Sequence, residues 1–201
     1  MFLSPVGTAR FIKSSRNAAA KVRTTRINEN RNCATVASAQ QLRYRYCMIE
    51  INTKAPGFTL PDENGNPVSL DQFRGHNVVL FFYPKASTPG CTIEAREFRD
   101  AYAKMKKAGL VVLGISPDTP KAQFKFKEKE SLPYTLLADD KKEVARKFDV
   151  LKEKNMYGKK VMGIVRTTFL IGPDGKIVHI FSPVKPEGHA EEVLAEVKKR
   201  G

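Results

Sequence analysis

From residue 48 onward the apolar positions change period several times, and each change marks an element. Residues 77–83 (NVVLFFY) form a continuous apolar run of strand length, the pattern of a strand covered on both faces, and Pro84 ends it. After a loop, Cys91 opens a helical pattern in which Ala95, Phe98, Tyr102 and Met105 follow at spacings of four, three, four and three, until Ala108 and Gly109 stop it. Residues 110–115 (LVVLGI) read as a second buried strand, and Thr119-Pro120 starts another helix with proline in its first turn. Residues 134–138 and 141–148 repeat the strand-then-helix order.

Two hairpins bracket this alternation. Residues 58–60 and 67–70 face each other across Asn64-Gly65, a dipeptide that tolerates the positive φ values of a tight turn. Residues 166–171 and 176–181 flank Gly172-Pro173-Asp174-Gly175. In the last helix Ala190, Val193, Leu194 and Val197 form one apolar stripe, with Lys198, Lys199 and Arg200 at its negative C-terminal end. The order hairpin, βαβαβα, hairpin, α predicts an α/β fold: a mixed central sheet with helices on both faces and an N-terminal β-hairpin.

A chain of 201 residues fits one domain plus an extra segment. No apolar run approaches the roughly 18 residues of a membrane-spanning helix. The net charge of +14 is uneven: residues 1–47 hold nine basic residues against one acid, Glu29, and the remainder 26 against 20. Residues 1–47 also lack a sustained hydrophobic period and the apolar core of a secretory signal, so they are expected not to fold alone, the domain occupying 48–201. Two readings of this segment stand level. It is an Arg-rich import peptide for a mitochondrion or another organelle, or it is an upstream mis-start, with Met48 the true first residue and a cytoplasmic protein. A nucleic-acid arm ranks below both, because aromatic residues are not interleaved to stack bases.

Cys33, Cys47 and Cys91 are too few for a disulfide framework in this length, and no two stand at metal-ligand spacing, which points to a reducing intracellular compartment. His76, His179 and His189 are scattered, as surface or hydrogen-bonded core imidazoles are. The chain has neither a dinucleotide fingerprint nor a phosphate-cradling loop, so no cofactor is expected.

Cys91 stands where a helix starts soon after an apolar strand. Unpaired backbone N–H groups and the positive end of the helix dipole favour a thiolate there. Alone, this is weaker than the bland reading of a buried structural cysteine. Thr88, three residues earlier, changes the weight, because on a first helical turn its hydroxyl faces the sulfur and reaches both thiolate and an incoming oxygen. Gly90 lets a substrate approach the backbone.

The segment 83–100 (YPKASTPGCTIEAREFRD) resembles the active-site segment of peroxiredoxins: proline, three residues, threonine or serine, two residues, cysteine, met here by Pro84, Thr88 and Cys91. The flanking PGCT and EAxxFRD, with RTTFLIGPDGKI (166–177) and PVKPEGHAEEVL (183–194), are similar to the bacterioferritin comigratory, or Q-type, subfamily over residues 49–199. The resemblance implies a thioredoxin-like fold, a monomer, and reduction of hydrogen peroxide and organic hydroperoxides without metal, haem or flavin. It implies that Cys91 is the peroxidatic nucleophile, Thr88 the hydroxyl that orients peroxide, Pro84 a shield over the pocket and Arg166 the cation supporting the thiolate. Glu94 matches the subfamily too, as a partner of Arg166 or as a helix-surface carboxylate, and His189 is given a structural role.

One departure matters. Many Q-type members carry a resolving cysteine five residues after the peroxidatic one, and here that position is Arg96. The sulfenic acid formed on Cys91 then needs another thiol before more peroxide drives it to sulfinic acid. An external thiol such as thioredoxin, glutaredoxin or glutathione is the first expectation, and Cys47 or Cys33 the second. Two rivals remain. A thioredoxin-type reductase needs Cys-x-x-Cys, where this chain has Thr88-Pro89-Gly90-Cys91. A redox-responsive scaffold binding nucleic acid through its basic tail would lack peroxidase turnover.

Overall fold

In the computed structural model, which describes residues 49–156 and 159–200, the first apolar run becomes the central strand of a five-stranded sheet. The N-terminal hairpin pairs β1 (Thr59–Pro61) with β2 (Pro67–Ser69), followed by a 3-10 turn at Leu70–Phe73. Then come β3 (Asn77–Phe82), α1 (Pro89–Lys107), β4 (Leu110–Ser116), α2 (Pro120–Glu130), β5 (Thr135–Ala138) and α3 (Glu143–Lys147). The chain closes with β6 (Leu151–Met156), β7 (Lys159–Ile164), β8 (Thr167–Ile171), β9 (Ile177–Phe181) and α4 (His189–Lys198). The sheet order is β5-β4-β3-β8-β9, parallel from β5 to β3 and antiparallel beyond. This is the mixed α/β architecture that the alternation predicts, in the thioredoxin-like form that the resemblance implies.

Because successive side chains of a strand point to opposite faces, β3 feeds two cores. Val79, Phe81 and Tyr83 join α1, α2 and α4 on one face, while Val78, Leu80 and Phe82 join α3 and the N-terminal hairpin on the other. Phe98 of α1 stacks on Phe81 with ring centroids 4.7 Å apart, and Tyr134 donates its hydroxyl to the Ala95 carbonyl at 2.8 Å. Gly114 makes this approach possible: a Cβ there would lie 2.7 Å from the Phe81 ring. Truncating a fully buried ring such as Phe98 costs about 3–5 kcal/mol. Helix α1 is thereby held rigidly over the sheet.

The β6–β7 hairpin is absent from the expected element order. Lys152, Glu153, Lys160, Val161 and Met162 of its strands are exposed, charged and apolar alike, so the pairing leaves no strong period-2 signal. Helix α3 is shorter than residues 141–148 suggest, and α1 begins at Pro89 rather than at Cys91. Among the described residues no helix is long and apolar enough to cross a membrane. The expectations for residues 1–47, with Cys33 and Cys47, lie outside the described residues.

Candidate active site

Strand β3 stops at Phe82, and the chain passes through Tyr83 and Pro84 into a loop whose Ser87 has φ +59°. Thr88 is the N-cap of α1, with Pro89 at the first helical position, where its missing N–H is no loss. Cys91 therefore lies in the first helical turn, at the positive end of a 19-residue helix, at the carboxyl ends of the parallel strands. It is 2% exposed.

Arg166 is 75 residues away in sequence, and the antiparallel register brings it close. Phe82 pairs with Thr167, so the residue after the first and the residue before the second meet at the same end of the sheet. The Arg166 backbone is fixed there by the Val184 N–H, which donates to its carbonyl at 3.1 Å. Its guanidinium forks: Nη2 donates to Cys91 Sγ at 3.4 Å, and Nη1 pairs with Glu94 Oε2. Gly90 faces the same guanidinium, since a Cβ there would stand 3.4 Å from Nη2 and 3.6 Å from Pro186 Cγ. The group that approaches this glycine within the protein is thus Arg166.

Glu94 is fully buried, which settles its two readings in favour of the Arg166 partner. Its carboxyl is pushed up to about 7, because burial outweighs the lowering influence of the guanidinium. Its second oxygen, Oε1, has no hydrogen-bond partner among the described residues. Arg166 itself loses hydration by burial, yet the charges of Glu94 and Cys91 hold it above its ordinary value. A permanently charged donor is thus fastened against the sulfur.

Thr88 departs from expectation. Its hydroxyl donates to the Lys85 carbonyl at 3.0 Å rather than to the sulfur, and its side chain makes no capping bond. With the hydrogen committed, the oxygen keeps lone pairs for an incoming donor. Pro84 is half-buried directly after Tyr83. His189 is buried at the start of α4, its Nε2 2.8 Å from Thr168 Oγ1 and its Nδ1 3.0 Å from Glu192, edge-on to Phe98 and Phe181. Burial lowers its basicity despite Glu192, as befits a structural imidazole. Arg96 projects from α1 to pair with Glu130 at 2.7 Å. No cluster of three or more His, Cys, Asp or Glu fit to hold a metal occurs among the described residues.

A chain of buried polar groups next to this site had not been expected from the sequence. Tyr83 donates its hydroxyl to Gln123 Oε1, Gln123 Nε2 donates to Ser116 Oγ at 2.9 Å, and Ser116 donates to Asp118 Oδ2 at 2.7 Å. The available signal was Gln123, which shares the buried stripe of α2 with Phe126 and Glu130 at helical spacing.

Known proteins resemble the chain in sequence and in fold. Residues 51–180 match the AhpC/TSA family. The chain is similar to the Bcp peroxiredoxin of Coxiella burnetii, 50% identical over 149 residues that cover 74% of this chain and 99% of that one. It is 44% identical to peroxiredoxin Bcp of Bacillus subtilis over 150 residues, 75% and 96% of the two chains. Among solved structures, the bacterioferritin comigratory protein of Xanthomonas campestris, described for its alkyl peroxide reduction activity, superposes with TM-score 0.69 at 42% identity, covering 71% of this chain and 91% of that one.

Proposed function

The chain belongs to the AhpC/TSA family as a peroxiredoxin of the Bcp, or Q-type, group, and from that premise we propose that its chemistry runs on Cys91 with Thr88, Arg166 and Pro84 around it. The protein is an enzyme, a thiol peroxidase acting on a hydroperoxide and a reducing thiol, which displaces the scaffold reading. The observation that carries the residue assignment is the Arg166 fork between buried Glu94 and the Cys91 sulfur.

In the proposed reaction the Cys91 thiolate attacks the terminal oxygen of ROOH. An S–O bond forms as the O–O bond breaks, and its electron pair leaves on RO⁻, which takes a proton to depart as an alcohol, or as water from hydrogen peroxide. Negative charge moves from sulfur along the S–O–O axis, and the Arg166 donors beside that axis stabilise it more in the transition state than before it. The Thr88 oxygen, its own hydrogen held by Lys85, accepts the peroxide O–H and sets the angle of attack. Pro84 shields the pocket from water. Cys91 is left as a sulfenic acid. A reducing thiol then condenses with it, releasing water and forming a mixed disulfide, and a second thiol frees Cys91 while the reductant leaves as a disulfide.

With Arg96 in place of a nearby cysteine, this cycle uses one cysteine and an external thiol: thioredoxin, glutaredoxin or glutathione. The likeness to the Xanthomonas protein favours alkyl hydroperoxides among the substrates. The same likeness to Q-type relatives favours a monomer. Intact-mass analysis after one equivalent of hydrogen peroxide with dimedone tests the assignment. An adduct in the wild type and in a chain starting at Met48, absent from Cys91→Ser, is expected. Loss of two hydrogens with no adduct would instead make a tail cysteine the resolving thiol, and no reaction would remove Cys91 from its role. Turnover that survives Cys33→Ser/Cys47→Ser with an external thiol is expected as well.

A further inference from the structure

The loop of residues 84–88 sets the position of Thr88 and the entry into α1, yet it contains no strand or helix of its own. Its turn passes through Ser87 in a left-handed conformation that a non-glycine residue adopts only when its surroundings hold it there. Within the loop, the Thr88 hydroxyl donates to the Lys85 carbonyl. Across to the next strand connection, the Ala86 N–H donates to Asp118 Oδ2 at 2.7 Å. These two bonds bracket the Ser87 turn.

We propose that Asp118 is a positioning residue for peroxide reduction, fixing the Ala86–Thr88 turn through its carboxylate so that the Thr88 oxygen meets the substrate beside Cys91. This rests on the reading of Cys91 as the peroxidatic thiol.

Asp118 is suited to the task because it is itself immobilised. The Ser116 hydroxyl donates to the same Oδ2 at 2.7 Å, and the Asp118 N–H donates back to Ser116 Oγ at 3.3 Å. Ser116 also accepts from Gln123 Nε2, whose second hydrogen goes to the Leu137 carbonyl at 2.9 Å, and Gln123 Oε1 accepts from Tyr83. Ser116 and Gln123 are fully buried, and Tyr83 nearly so. The bonds from Tyr83 to Gln123, from Gln123 to Ser116 and from Ser116 to Asp118 all run toward the carboxylate, so the negative charge of Asp118 strengthens them in turn. Burial holds the Tyr83 phenol well above its usual range, with the charges of Asp118 and Cys91 adding to this, so it stays a donor. The series anchors the connection at two points, Tyr83 at its start and Ala86 in its middle, to the end of β4, α2 and β5.

The experiment is a single-turnover stopped-flow measurement of Cys91 oxidation by an alkyl hydroperoxide, paired with the rate of Cys91 alkylation by iodoacetamide. Alkylation needs the thiolate but not an oriented peroxide. For Asp118→Ala the oxidation rate is expected to fall by about 100-fold, the scale of a misplacement near 1 Å, while alkylation stays within about threefold. Asp118→Asn, whose amide oxygen accepts from both Ala86 and Ser116, is expected to restore most of the oxidation rate. A folded Asp118→Ala protein that oxidises at the wild-type rate overturns the proposal, as does a parallel fall of oxidation and alkylation. If Asp118→Ala does not fold, Ser116→Ala, which frees the carboxylate, provides the same reading with a smaller loss, and an unchanged rate there overturns it. Wild-type protein that fails to react with peroxide would instead remove the peroxidatic role of Cys91, leaving the two failures distinct.

Discussion

Helix α1 takes part in two arginine–glutamate pairs, through Glu94 and through Arg96, two positions apart and so on different faces of the helix. In the first, Glu94 of the helix pairs with Arg166, the residue just before β8, and both side chains are withdrawn from water, 1% and 13% exposed. In the second, Arg96 of the helix pairs with Glu130 at the end of α2; the carboxylate is 3% exposed, but the arginine is 53% exposed. The residue types are identical. In the first pair desolvation pushes the glutamate up to about 7 and directs the second arm of the guanidinium onto a sulfur. In the second, the guanidinium stays largely hydrated and its attraction is screened, so the pair works as a fastener between two helices. An ion pair acquires chemistry when burial strips away water and leaves a donor free for a third group.

The contrast is broken most severely at Arg166. Arg166→Ala is expected to slow Cys91 oxidation by about 100- to 1,000-fold, the scale for removing one preorganised donor to a developing charge, read by single-turnover kinetics. Arg166→Lys should recover only part of this, because an ammonium lacks the fork that reaches Glu94 and Cys91 together. A rate within tenfold of wild type for Arg166→Ala would reduce the first pair to a fastener like the second.

Glu94 sharpens the comparison through pH. Its carboxyl titrates near 7 in the folded protein against 4.5 when unperturbed, so the native state holds more protons than the unfolded state between these values. Stability from this group is therefore present in full below about pH 4.5, declines as pH rises through that window, and is flat above it, by at most roughly 3 kcal/mol. Urea unfolding at pH 5 and pH 7.5 should show the wild type losing ground relative to Glu94→Gln as pH rises. Equal pH dependence in the two proteins would show that Arg166 fully compensates the burial.

The smallest effect on oxidation belongs to Arg96. Arg96→Ala, which takes the side-chain partner from the buried Glu130 carboxylate, is expected to lower stability by about 1–3 kcal/mol and to leave peroxide oxidation within about twofold. A loss comparable to that of Arg166→Ala would mean that the second pair reaches the sulfur through the helix.

Much of this fold was legible as periodicity. Residues 77–83 and 110–115 could only be covered strands, and the stripe from Cys91 to Met105 a helix on them, because each pattern places its apolar atoms on the faces that backbone geometry dictates. The β6–β7 hairpin was not legible, since its strands, with exposed Lys152, Glu153 and Lys160, are held by backbone pairing that leaves no period-2 mark in side-chain polarity. At the site, Pro84, Thr88 and Cys91 were readable because they lie within eight residues and owe their proximity to a local turn. Arg166 came only from likeness to a family, because nothing in residues 166–171 says which strand they pair with or in what register. The direction of the Thr88 hydroxyl and the series from Tyr83 to Asp118 were hidden for the same reason, their partners being set by packing.

The sequence by itself determined most of the helices and strands, the β6–β7 hairpin excepted, and that a cysteine with a threonine three residues before it lies at the start of a helix that follows a buried strand. These follow from interactions between residues a few positions apart, which any window of the chain contains. The tertiary structure alone decided that Arg166 touches that sulfur, that Glu94 is buried and titrates near 7, and that Asp118 holds the loop. Each of these depends on strand register and on exclusion of water, and both emerge only when distant segments pack together.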